Sequence, residues 1–205
     1  MTESATSSRI LTIPNLLTIF RMALVPVFVS LLYYQRFFIA LLVFVVAGVT
    51  DGLDGLFARL FDQRSQLGTV LDPIADKLLM TASFVTLSLP AIIPLGSRHL
   101  PVPFWVTAAV ISRDIFIIVG AAAINIMTGF RTFRPSWLGK LSTTIQIFGV
   151  TFILVAASFP ALKGFYLPTV YTIVFAFALF SGIHYVFFVS RLMNEDKRPA
   201  AETPK

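Results

Sequence analysis

Six stretches of about 20 mostly apolar residues follow one another along this chain, and each is long enough to cross a lipid bilayer as a helix. They run Leu16–Tyr34, Phe37–Phe61, Leu67–Pro90, Val102–Met127, Ser136–Ser158 and Leu167–Val189. Polar or turn-forming residues mark every break: Gln35-Arg36, Asp62 to Ser65, Pro90 to Pro101, Gly129 to Pro135, and Pro160 to Gly164. Hydrophobic residues make up 57% of the 205 and charged residues 13%, against roughly 45–50% and 25% in soluble domains. So apolar a chain cannot cover itself with polar surface in water, and the bilayer is its expected surroundings. The expected fold is all-α, a polytopic membrane protein with six transmembrane helices. The segment Ser7–Thr18, with Arg9 and Pro14 among apolar residues, is read either as a short interfacial helix ahead of the first span or as the frayed start of that span.

Lys and Arg in the short loops set the orientation. With both termini on one side, that side carries ten: Arg9, Arg59, Arg64, Arg131, Arg134, Lys140, Arg191, Lys197, Arg198 and Lys205. The other side carries three, Arg36, Arg98 and Lys163. Both termini are therefore expected in the cytoplasm, in a multi-pass protein of the cell (inner) membrane. The net charge of +6 reads as this bias plus attraction to anionic lipid, not as a nucleic-acid surface. The absence of Cys excludes disulfides and thiolate metal sites. The polar start, Met1–Arg9, lacks the plan of a signal peptide, and no processing is expected.

An ionisable residue within a span costs roughly 2.5–3.5 kcal/mol on insertion scales. Yet four of the chain's ten acids, Asp51, Asp54, Asp72 and Asp76, lie in or beside the second and third spans. On a helix Asp51, Asp54, Gly55, Ala58 and Arg59 share one face, and on the next Gly68, Asp72 and Asp76 share another. The short link Asp62–Gln66 makes the two helices antiparallel neighbours, so both acidic faces can meet near the cytoplasmic boundary. Four carboxylates there repel one another unless some are protonated or bound cations neutralise them. Oxygen ligands in this number suit Mg²⁺ or Mn²⁺, and two-metal sites recur in phosphoryl transfer. Gly55 and Ala58 leave room beside the acids, Gly68 clears space one turn before Asp72, and Arg59 can grip a phosphate.

The eight residues Asp51, Asp54, Gly55, Ala58, Arg59, Gly68, Asp72 and Asp76 match in type and spacing the pattern D-x2-D-G-x2-A-R-x8-G-x3-D-x3-D. The chain thereby resembles the CDP-alcohol phosphatidyltransferases, and its six spans extend the likeness over most of its length. The resemblance implies that residues 1–193 form the family's membrane domain, and the polar, Pro-containing stretch 194–205 is expected to be a mobile tail. It implies that Asp51, Asp54, Asp72 and Asp76 hold two Mg²⁺ or Mn²⁺ ions and that Asp76 is also the general base. It implies that Gly55, Ala58, Arg59, Ser65 and Gly68 line the site of the CDP moiety. The reaction implied is phospholipid biosynthesis: transfer of the phosphatidyl group of CDP-diacylglycerol to the hydroxyl of a glycerol-type acceptor, with release of CMP. A homodimer is expected, and no nucleic-acid partner.

Asn15, Thr18 and Arg21 fall near one face of the first span, and Ser112-Arg113-Asp114 and Trp137 to Gln146 form two further segments. These resemble the phosphatidylglycerophosphate synthase and CMP-forming cardiolipin synthase branches. Asn15 and Thr18 are candidate donor contacts. Arg21, Arg113, Arg131, Arg134 and Lys140 are candidates for an acceptor phosphate, with neutralising the Asp cluster or snorkelling as the second reading of Arg21 and Arg113. Glycerol 3-phosphate is the acceptor expected first, giving phosphatidylglycerophosphate. Phosphatidylglycerol is the alternative, giving cardiolipin, because Ala121 stands where the first branch often carries a further Arg. Asp114 is expected to pair with a neighbouring cation. An ion or proton transporter would also use intramembrane carboxylates, but it would spread them across the membrane's depth.

Overall fold

The structure, a computed structural model, describes residues 13–60, 66–93, 100–128, 137–159 and 166–196. The regular elements among them are six helices: α1 (Ile13–Tyr33), α2 (Phe37–Leu60), α3 (Gln66–Ser88), α4 (Phe104–Thr128), α5 (Trp137–Ser158) and α6 (Leu167–Asp196). The expected all-α class holds, and the apolar runs found in the sequence coincide with the helices to within a few residues except at the end of α6. Of the segment Ser7–Thr18, residues 13–18 belong to α1 and residues 7–12 lie outside the described residues. Helix α6 continues to Asp196, into the stretch expected to be a tail, and the rest of that stretch is likewise outside. Three helices among the described residues are long and apolar enough to cross a membrane by length and composition: Asn15–Tyr33 of α1, the whole of α5, and Leu167–Phe187 of α6. A shorter apolar stretch, Phe37–Leu53, lies in α2 and includes the first acid of the pattern, Asp51.

The turn from α1 to α2 is short for a physical reason. Gln35 adopts a left-handed conformation with φ 55°. Its N–H donates to the Leu32 carbonyl at 3.0 Å and that of Arg36 to the Leu31 carbonyl at 2.8 Å. These two bonds satisfy carbonyls that a helix end otherwise leaves bare, and they close the chain into a Schellman turn. The Arg36 carbonyl then accepts the N–H of Ala40 at 2.9 Å, which starts α2 at once. Helix α1 packs against both α2 and α3.

The chain divides into two compact units, residues 1–102 with 150–167, and residues 103–149 with 168–205. The first has a core of Phe28, Leu32, Phe44, Leu79, Phe84, Leu87 and Ile153, all buried. In it Phe28 and Phe44 meet with ring centroids 5.9 Å apart. The second buries Val106, Val110, Val174, Ala178 and Tyr185. There Trp105 and Phe175 stack edge to face at 4.9 Å, and α4 and α6 border a cavity of about 560 Å³ with an almost wholly apolar lining. Large apolar side chains also stand exposed on the outer faces, among them Phe20, Val45, Val49, Phe116, Val119, Phe148, Phe180 and Phe187. So much apolar surface turned outward fits a lipid surrounding better than water.

Candidate active site

Helices α1, α2 and α3 each bring polar side chains to one place in the first unit. Asp51 lies on α2 and Asp72 and Asp76 one turn apart on α3, as the sequence spacing requires. Asp51 and Asp76 meet at Arg21 of α1, whose side chain is only 1% exposed. Its Nη1 donates to Asp76 Oδ1 at 2.5 Å and also contacts Asp51 Oδ1. One turn earlier on α1, Thr18 Oγ1 donates to Asp72 Oδ1 at 2.5 Å. Asn15, a further turn back, is buried on the same helix. The three residues singled out in α1 by their spacing thus share a buried face, and two of them bond to the acidic pattern.

Burial is uneven across the group. The side chains of Asp51 and Asp76 keep 42% and 47% of their surface exposed, while that of Arg21 keeps 1%. The carboxylates are therefore open to a molecule arriving from outside, and the guanidinium backs them from within. A buried arginine is tolerable because it is paired; without its carboxylates it would be an uncompensated charge.

Asp54, Gly55, Ala58 and Arg59 fall on the last turns of α2 and Gly68 on the first turn of α3. Their side chains lie outside the described residues, as do Ser65, Arg131 and Arg134 altogether. Lys140 is exposed in the first turns of α5. Arg113 is buried in the second unit. Its Nη1 donates to Asp114 Oδ1 at 2.7 Å, its Nη2 to the Gly139 carbonyl at 2.8 Å, and its Nε to Ser181 Oγ at 3.3 Å. Asp114 thus pairs with a neighbouring cation, as expected. Ser181 is the functional-looking residue that the sequence reading missed. The available signal was a hydroxyl in an apolar helix, next to Gly182.

A hard divalent cation asks for oxygen ligands around a common gap. Asp51 Oδ1 and Asp76 Oδ1 both approach one cationic nitrogen, so the gap between them already accommodates positive charge. The donor set is all oxygen, which fits Mg²⁺ or Mn²⁺. Among the described residues no three His, Cys, Asp or Glu side chains gather closely enough to hold an ion. Asp72 is bonded to Thr18, and the side chain of Asp54 is outside the description.

Comparison with known proteins agrees with the pattern in α2 and α3. Residues 11–188 match the sequence profile of the family described as CDP-alcohol phosphatidyltransferase. The chain is 35% identical over 176 residues to the human protein named cardiolipin synthase (CMP-forming), covering 78% of this chain and 54% of that one. The rat protein of the same name is 33% identical over the same span. The Escherichia coli K12 protein named CDP-diacylglycerol–glycerol-3-phosphate 3-phosphatidyltransferase is 36% identical over 148 residues, covering 69% of this chain and 76% of that one. The match spans about half the length of the two mammalian relatives. With 178 of its residues inside the family profile and every position of the acidic pattern in place, the chain belongs to the CDP-alcohol phosphatidyltransferase family.

Proposed function

We propose that this protein transfers the phosphatidyl group of CDP-diacylglycerol to a glycerol-type hydroxyl in a membrane and releases CMP. The observation that carries the reading is the meeting of Asp51 and Asp76 from successive helices, with their outer surfaces open. Membership of the family supports the same chemistry. Asp51, Asp54, Asp72 and Asp76 would hold two divalent cations, Mg²⁺ or Mn²⁺, which neutralise charge on the donor's diphosphate and on the leaving CMP. The acceptor oxygen attacks the phosphorus that bears the diacylglycerol. The bond from that phosphorus to the CMP oxygen breaks, and CMP leaves with the bonding pair. Asp76 takes the acceptor's proton as general base. Gly55, Ala58, Arg59, Ser65 and Gly68 receive the CDP part.

Glycerol 3-phosphate is the acceptor we favour, since the relative matched over three-quarters of its own length is named for it. Phosphatidylglycerol is the second reading, favoured by the longer match of this chain to proteins named cardiolipin synthase. Arg21 and Arg113 are taken up by carboxylates, so Lys140, Arg131 and Arg134 carry the expectation of a site for the acceptor's phosphate. All six helices span the bilayer in this reading, with both termini and the acidic site on the cytoplasmic side, and the protein acts as a homodimer. The ten-to-three cation bias supports this orientation.

The test is an acceptor screen with purified protein, CDP-diacylglycerol and Mg²⁺, identifying the lipid product by mass. A chelator should abolish CMP release, and Mg²⁺ or Mn²⁺ should restore it. No lipid product with any glycerol-type acceptor would sink the reading.

A further inference from the structure

Hydroxyls inside a helix commonly turn back on it. Those of Ser30, Thr50, Ser83 and Thr144 each donate to a carbonyl three or four residues earlier on their own helix. Thr18 on α1 reaches across to another helix. Its Oγ1 donates to Asp72 Oδ1 on α3 at 2.5 Å, 54 residues away in sequence. Thr18 is wholly buried and Asp72 half-buried, so the carboxylate is held from inside and keeps an outward part. A carboxylate offers about four acceptor positions on its two oxygens, and a hydroxyl has one proton to give. The bond takes one of those positions, so Thr18 can hold Asp72 while the same carboxylate ligates a cation. A ligand free to rotate must give up that freedom when an ion binds, and one already fixed has less to lose. The donor is itself held, because β-branching restricts the threonine side chain and α1 packs against α3.

We propose that Thr18 is a positioning residue: its hydroxyl fixes the Asp72 carboxylate for the divalent cation and so raises the affinity of the site for that ion. The inference rests on the reading of Asp72 as a metal ligand. Thr18 then acts from behind the site and is not a contact to the donor, because its proton is spent on Asp72. Thr18 carries no charge, so its removal changes the geometry of the ligand without changing the charge of the site. Thr18→Val keeps the branched shape and deletes the O–H. A merely structural threonine would lower the unfolding temperature when replaced and leave the ion affinity of the folded protein where it was.

The experiment measures Mn²⁺ binding by electron paramagnetic resonance of the free ion. It compares the unmodified protein, Thr18→Val, Thr18→Ser and Asp72→Asn in one detergent, at a temperature where a thermal melt shows each of them folded. Thr18→Val should bind Mn²⁺ about tenfold to a hundredfold more weakly, the usual cost of losing a hydrogen bond to a metal ligand. Thr18→Ser keeps the O–H and should retain most of the affinity. Unchanged binding in Thr18→Val overturns the proposal. A loss of about tenfold or more in Thr18→Ser also overturns it, since the hydroxyl is still present there and its bond is then not what counts. That second comparison decides the matter even where Thr18→Val does not fold. Asp72→Asn binding Mn²⁺ as well as the unmodified protein shows instead that the metal reading itself has failed, and the proposal falls with it.

Discussion

Arg113 on α4 donates from Nη2 to the backbone carbonyl of Gly139 on α5 at 2.8 Å, and Thr143 Oγ1 donates to that same carbonyl at 3.1 Å. The remaining nitrogens of the guanidinium reach Asp114 beside it and Ser181 on α6. One buried side chain thus ties three helices of the second unit together. Removing it leaves the Asp114 charge buried and the hydroxyl and carbonyl without this donor.

Arg113→Ala should destabilise the protein by about 3–5 kcal/mol, as for breaking one side of a buried ion pair. The double variant Arg113→Ala/Asp114→Ala should recover part of the loss, because the buried negative charge is removed together with the arginine that balances it. Unfolding in detergent with all three single and double variants gives the coupling. A double variant as unstable as the sum of the singles would remove the pair from this role.

Asp76→Asn keeps the size of the side chain and one carbonyl oxygen but removes the basic oxygen. Turnover should fall by at least about 10²-fold, in the range of general-base contributions, while CDP-diacylglycerol still binds. The check is to measure donor binding and CMP release separately. Normal turnover would assign the base elsewhere.

Gly149 on α5 is buried against α6, and a Cβ built there would lie 2.7 Å from Val174 Cγ2. Gly149→Ala should therefore cost about 1–3 kcal/mol by overpacking, despite alanine's better helix propensity. Adding Val174→Ala frees the space and should return much of the loss in a thermal melt. A stabilised Gly149→Ala would mean that the two helices part easily.

The absence of Cys makes topology directly measurable. Single cysteines at Ser7, His99 and Thr203 should label from the cytoplasmic side, the outer side and the cytoplasmic side respectively. Ser7 and His99 reacting from the same side would refute the six-span reading.

The six helices were legible because each apolar run is bounded by charged or turn-forming residues, and a helix must satisfy its own backbone wherever lipid surrounds it. The approach of Asp51 to Asp76 was legible too, since the spacing on each helix and the short link between them leave few alternatives. The partner that joins them was not. Periodicity placed Asn15, Thr18 and Arg21 on one face, but it did not say what that face would meet, and a phosphate and a carboxylate offer arginine similar oxygens. The pairing of Asp114 with a neighbouring cation could be read from adjacency. The reach of Arg113 to Gly139 and Ser181, 26 and 68 residues away, depends on how α4, α5 and α6 pack, and no local pattern encodes that.

The tight turn at Gln35 has a consequence for how the chain enters the membrane. It folds α1 back along α2, so that Arg21 meets Asp51 using only the first 51 residues. Each charge alone would resist transfer into hydrocarbon by roughly 2.5–3.5 kcal/mol. As a matched couple on one helical hairpin they would meet that cost with their charges paired. The order of residues along the chain therefore places the counter-charge, Arg21, ahead of the first acid it meets, Asp51.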